Sequence, residues 1–401
     1  MKNTKKCLKI GLVTVSSALG AASVHASAFD LPDQDAFAIG RGMAVVATAD
    51  NPSAIYYNPA GITQIPGTNL RLGMYAIDID ASTHNTGTGF DSDNENKWHA
   101  VPQFYFTYTK PDAKWTIGLG AYSPFGLGLE WPQDAGFRTA GYESALTTMA
   151  LNPVIAFKVT PTLSIGGGPM LDYANADLRL GVLGENPGTD ILRYQGDGYA
   201  FAYNLGARWQ PIQQLSFGAT FRSGATVDLH GHTVTGLGGP TTQTSGGTSL
   251  PLPMKAIFGV SYRPTDKWNF EFDADYTDWS ADGTLVVSPT ALGPVSLPLN
   301  WVPSWYYEFG GTRYFDNGWH LSAGYIYNEN SVPNGNYTPL VADMDKQFVS
   351  VGVGHTGKKI DFDVAYQFGY GTSTVSGAPN GADGNYTWIS HAVAVSCTYH
   401  F

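Results

Sequence analysis

Cysteine is nearly absent: the 401 residues contain two, Cys7 and Cys397. Cys7 falls in a basic N-terminal leader, so one cysteine would remain without it and a disulfide framework is excluded. Charge is scarce as well. Asp, Glu, Lys and Arg make up 14% of the chain, and 33 acids against 22 bases leave a net charge of −11. Nucleic acid is a poor partner for such a chain, because its phosphates need surplus Lys and Arg. Long hydrophobic runs are also missing: after the leader no apolar stretch approaches the roughly 20 residues that a membrane-crossing helix needs.

The leader itself has a recognisable order. Lys2, Lys5, Lys6 and Lys9 precede an apolar run from Ile10 to Ala22, followed by small residues up to Ala28. This is the pattern of a secretory signal peptide over residues 1–26, cleaved after Ala26, with Ala28 as a second possibility. Loss of the four lysines would bring the net charge from −11 to −15. What remains is rich in Gly (48) and Tyr (23). An exported, aromatic, glycine-rich chain without apolar helices has the composition of an outer-membrane barrel, since only a closed sheet satisfies every backbone group in lipid without helices.

Periodicity agrees. In the last segment Ile389, Val393, Val395, Cys397, Tyr399 and Phe401 alternate with Ser390, Ala392, Ala394, Ser396, Thr398 and His400. Trp268, Phe270, Phe272, Ala274 and Tyr276 alternate with Asn269, Glu271, Asp273 and Asp275, and Ile360 to Phe368 repeat the pattern. Period two sends successive side chains to lipid and to lumen. Cys397 is then a small lipid-facing residue and not a nucleophile.

The connectors are of two alternating kinds. Short ones surround Pro111, Thr160, Pro211, Thr265, Asn317 and Lys358; longer polar stretches fall at 84–97, 131–142, 182–195, 233–250, 281–303, 328–345 and 371–387. Short periplasmic turns alternating with long external loops predict an all-β, antiparallel transmembrane barrel of about 14 strands over residues 67–401. The strands begin near Leu70, Trp98, Trp115, Glu143, Leu163, Tyr199, Leu215, Pro253, Trp268, Trp305, Trp319, Gln347, Ile360 and Trp388. All ten tryptophans lie near expected strand ends, as aromatic girdles at the two interfaces require. Residues 27–66 are broken by Gly40, Gly42, Pro52, Pro59, Gly61 and Pro66 and read as a plug, which a lumen of this width needs if it is not to leak.

Phe29-Asp30-Leu31, Gly40-Arg41-Gly42, Asp50-Asn51-Pro52 and Tyr57-Asn58-Pro59-Ala60-Gly61 resemble the FadL/TodX family of outer-membrane transporters. Further matches are Tyr276-Thr277-Asp278-Trp279-Ser280, Asn300-Trp301, Ser331-Val332-Pro333 and Asp343-Met344-Asp345-Lys346. The resemblance implies a 14-stranded barrel with an N-terminal hatch, passively carrying hydrophobic molecules such as long-chain fatty acids or aromatic hydrocarbons. Cargo would pass from the outer loops to a pocket near Phe29 and leave sideways through a kinked third strand. Here that strand contains Pro124-Phe125-Gly126, where proline cannot donate a ladder bond and glycine weakens the strand. Asn58-Pro59-Ala60 would sit where the hatch meets the opening. A basic-acidic pair often follows the family's Asn-Trp, but Val302 and Pro303 stand here. Arg179 could supply a cation for a fatty-acid head group instead, and a neutral hydrocarbon stays open.

Other functions fare less well. No metal-ligand spacing, no Gly-x-Ser-x-Gly elbow and no cofactor motif occurs, so neither an enzyme nor a metal site is expected. The acidic groups at 91–95 and 273–282 lack the loop pattern of a Ca²⁺ site. The alternative function is a general-diffusion or substrate-specific porin, which predicts an open lumen. The expected partners are the hydrophobic ligand and outer-membrane lipid, and a monomer is expected because a closed barrel has no edge to hide.

Overall fold

The structure is a computed structural model that describes residues 28–95, 97–183 and 189–401. The expected signal peptide, with Cys7, lies outside the described residues. The wall begins with β1 (Gly67–Asn85), flanked above by the short β2 (Asp91–Asp93), and continues with β3 (Trp98–Thr109). The third wall strand is broken into β4 (Trp115–Tyr122) and β5 (Gly126–Glu130). Next come β6 (Glu143–Lys158), β7 (Leu163–Leu180), β8 (Asp190–Ile212), β9 (Leu215–Arg222), β10 (Ala225–Leu237), β11 (Thr242–Leu252), β12 (Met254–Thr265) and β13 (Trp268–Asp278). A small hairpin, β14 (Thr284–Val287) and β15 (Val295–Pro298), stands in the following loop. β16 (Ser304–Tyr314), β17 (Trp319–Asn328), β18 (Lys346–His355), β19 (Ile360–Val375) and β20 (Gly384–His400) complete the wall. Counting β4–β5, β9–β10 and β11–β12 as one wall strand each gives 14, all antiparallel, and β1 pairs with β20 from Asn69↔His400 to Asn85↔Gly384 to close the barrel.

Alternation decides which face each residue takes. On β13, Asn269, Glu271, Asp273 and Asp275 are buried in the lumen, while Trp268 and Phe270 are exposed on the outside. On β20, Val393, Val395, Cys397 and Tyr399 point outward and Ala392, Ala394 and Ser396 inward. The outward apolar side chains are those that lipid would cover. At the short turn after β16, Gly318 adopts φ +85°, which favours glycine.

Three expectations change. β8 begins at Asp190 and not near Tyr199, so the loop expected over 182–195 is shorter. Residues 233–250 are largely strand, not loop: β10 and β11 pair from Ala225↔Leu252 to Thr235↔Thr242, and β10 also pairs with Asp190–Asp197 of β8. Threonines at 233, 235, 244 and 248 suit a pleated surface despite the glycines between them. Nor do all ten tryptophans belong to girdles. Trp209, Trp268 and Trp319 are exposed on the outside, but Trp131, Trp279 and Trp301 are buried beneath the loops and Trp388 faces the lumen. A strand end near an interface also lies near a loop that folds inward, and sequence position alone does not separate the two.

Candidate functional site: a cavity above the hatch, open at the wall

Residues 28–66 fill the lumen with two short helices, α1 (Ala36–Gly40) and α2 (Ala54–Tyr57), and a 3-10 turn from Pro59 to Gln64. Almost all of this segment is buried. Its turns leave backbone N–H groups without helical partners, and wall carboxylates take them. Val45 and Val46 N–H donate to Asp273 Oδ2 at 2.8 and 2.8 Å, and Ala47 N–H donates to Glu271 Oε1 at 2.6 Å. Arg41 pairs with Glu271 at 3.3 Å, and Arg71 of the wall bridges Asp35 at 2.6 Å and Asp363 at 2.7 Å. Buried pairs of this kind cost about 3–5 kcal/mol each to break from one side. The segment is therefore fastened at many points.

Asn58 caps the 3-10 turn by accepting from Ala60 N–H at 3.2 Å, and its amide donates to Val46 O at 2.8 Å and Ala207 O at 3.0 Å. Pro59 packs where Gly166 and Gly206 carry no side chain. Asn58, Pro59 and Ala60 thus lie against β7 and β8. The expectation that they meet the wall opening is corrected: the third strand's break is contacted by Phe29 to Gln34 instead.

That contact is a short strand pairing. Leu31 N–H donates to Pro124 O at 3.0 Å, and Gly126 N–H donates to Phe29 O at 2.9 Å. Phe125 N–H finds Thr148 Oγ1 at 3.1 Å, while the Gln34 amide donates to Ser123 O at 2.7 Å. The ladder that proline breaks is thus satisfied by the N-terminal segment, as buried backbone groups demand. The neighbouring wall is left open. β3 pairs with β4 only between Phe104↔Ala121 and Tyr108↔Ile117, and Trp98 to Gln103 have β1 as their ladder partner. β5 pairs with β6.

A cavity of about 620 Å³ occupies this region. Tyr75, Ile77, Phe348 and Trp388 line it from the lumen, and Trp98, Pro102, Thr147 and Met149 line it from the outer face of the wall. The cavity therefore runs through the seam between β3 and β5. Its lining is chiefly apolar, with Asp33, Lys346, Asn328 and Gln367 among its polar members. Lys346 Nζ stands 3.3 Å from Asp343 Oδ1 and 4.9 Å from the Trp388 ring centroid.

Of the residues singled out from sequence, Phe29, Phe125 and Gly126 line the cavity and Pro124 adjoins it. Phe29 packs edge-on against Trp279 at 4.7 Å and Phe125 at 5.8 Å. The neighbouring Asp30 is held by Lys255 at 2.6 Å, which also pairs with Asp275 at 2.8 Å. Arg179 is elsewhere: it is on the outward face of β7, paired with Glu143 at 2.5 Å and Asp177 at 3.2 Å. Sequence reasoning quoted Lys346 only as part of a motif and missed its place at the cavity; the adjacent acids of Asp343-Met344-Asp345-Lys346 mask it as a solvated cluster.

Residues 17–401 match the family model described as outer membrane protein transport protein (OMPP1/FadL/TodX). The chain belongs to this family. It is 25% identical over 408 residues to the long-chain fatty acid transport protein of Salmonella typhi, covering 91% of this chain and 92% of that one. Among solved structures, a Pseudomonas aeruginosa FadL homologue superposes with a TM-score of 0.81 at 19% identity, covering 94% of this chain and 100% of that one. The Ralstonia pickettii toluene transporter TbuX follows at 0.73 and 17%, covering 92% and 98%. The protein is thus a bacterial outer-membrane transport protein of the FadL/TodX type, in a family made up of transport channels.

Proposed function

We propose that this protein lets hydrophobic small molecules cross from the cell exterior into the outer membrane itself, passively, through the cavity and out between β3 and β5. The observation that carries the reading is the cavity's lining, which includes both faces of the wall where the β3–β5 ladder is missing. A fatty acyl chain gains about 0.8 kcal/mol per CH₂ on leaving water, so an apolar route ending in lipid needs no energy source. Residues 28–66 act as the hatch, Asn58-Pro59-Ala60 brace it, and Phe29, Pro124, Phe125 and Gly126 form the gate. The many buried pairs that hold the hatch favour sideways exit over its wholesale removal. They also count against the porin alternative, because they fill the lumen. One closed barrel suffices, and the protein works as a monomer.

Long-chain fatty acids are the favoured cargo. Lys346 supplies at the cavity the cation that Val302 and Pro303 do not and that Arg179, on the outward face of β7 and not part of the lining, does not. The aromatic lining around Phe29 and Trp388 supports aromatic hydrocarbons as a second reading. Uptake of a labelled long-chain fatty acid and of toluene by cells lacking their own transporter distinguishes the two. Lys346→Met should lower fatty-acid uptake and spare toluene. Replacement of Ser123-Pro124-Phe125 by Thr-Val-Thr, which gives position 124 a ladder donor and puts β-branched side chains at all three positions, should abolish uptake of both. Free passage of small sugars with uptake of neither cargo would sink the proposal.

A further inference from the structure

We propose that His99 is the shutter of the wall opening and sets which cargo shapes leave through it. This rests on the lateral route argued above. Gly128 of β5 pairs with Ala145 of β6, whose side chain faces outward, so a side chain at 128 would stand on the outer face of the wall at the β5 bank of the seam. A Cβ built there would lie 2.3 Å from His99 Cε1 and 2.8 Å from His99 Nδ1. The imidazole already fills that space. His99 belongs to β3, beyond the last residue that pairs with β4, so its ring crosses the seam from the opposite bank. The absent side chain of Gly128 is the notch that receives it.

Each bank is held from behind. Trp98 to Gln103 are laddered to β1, and β5 is laddered to β6. Swinging the His99 ring out of the notch therefore breaks no strand pairing, and side-chain rotation is fast compared with any movement of the wall. Leu127, Val101 and Met149 also line the passage, but opening it through any of them leaves the imidazole across the seam. A purely space-filling histidine would affect stability and leave selectivity alone. A shutter makes the width of the cargo depend on this side chain.

The test compares uptake of slim and wide cargoes of equal hydrophobic character: a straight and a branched fatty acid of equal carbon number, and toluene with 1,3,5-trimethylbenzene. In His99→Ala the wide-to-slim rate ratio should rise about tenfold, the scale at which an apolar site discriminates by a methylene group. Adding Gly128→Leu refills the notch from the other bank and should return the ratio to that of the parent. Barrel folding is checked by the heat-dependent shift in gel migration; His99→Asn, narrower than the ring, provides the same readout if the alanine variant does not fold. An unchanged ratio in a protein that still transports overturns the shutter alone. Failure of the parent to take up either cargo, or full uptake after the Ser123-Pro124-Phe125 replacement, overturns the lateral route instead.

Discussion

Asp282 lies in the loop after β13, and neither of its carboxylate oxygens has a hydrogen-bond partner among the described residues. Burial pushes its pKa up to about 8. Between the ordinary carboxylate range near 4 and about 8, the folded loop keeps a proton that the unfolded loop gives up, so stability falls as pH rises through that window. The effect is on the order of a few kcal/mol at most. Protection of residues 279–303 against hydrogen exchange, taken relative to the intrinsic rate at each pH, should accordingly be higher at pH 5 than at pH 9, and Asp282→Asn should remove most of the difference. Equal protection of the parent at both values would contradict this account. Sequence alone gives no hint of this site: Asp278 and Asp282 look alike in a polar stretch, yet Asp278 caps a turn in solvent while Asp282 is enclosed beside Trp279 and Trp301. Phe29 and Phe125, in contrast, were legible, because each stands beside a proline, glycine or motif that marks where regular pairing must stop.

At the scale of elements, most wall strands were legible almost to the residue, although β8 begins at Asp190 and not near Tyr199. Trp98, Trp115, Glu143, Leu163, Leu215, Trp268, Trp319 and Ile360 each begin a strand as expected. Alternation is imposed by lipid on one side and lumen on the other, so it survives in the sequence. Above the membrane that constraint is gone, and β10–β11 was accordingly misjudged as loop. Beneath this hairpin β9 and β12 pair directly, from Lys255↔Arg222 to Tyr262↔Leu215, and already close the wall. Shortening the hairpin by removal of residues 233–244 should therefore leave a folded, heat-modifiable barrel with uptake near that of the parent. Loss of the folded band on a gel would show that the hairpin is part of the wall's foundation.

The molecule as a whole is a wall around a fastened plug. Deleting residues 28–66 should open a water-filled lumen, and small sugars should then enter liposomes carrying the protein, as they should not with the intact chain. The plug was foreseeable from its glycines and prolines, but its attachment was not. Glu271 and Asp273 were read as lumen carboxylates of no assigned use, since nothing local to β13 reveals the backbone N–H groups of residues 45–48 that come to them across more than 200 positions of chain. This attachment also bears on how the molecule is made. Residues 28–66 leave the export machinery before any strand, their anchors on β13 come much later, and the seam between β1 and β20 is last of all. The plug thus has a template on the inner face of a still-open sheet before the final strand arrives, and the cylinder is sealed around its own contents.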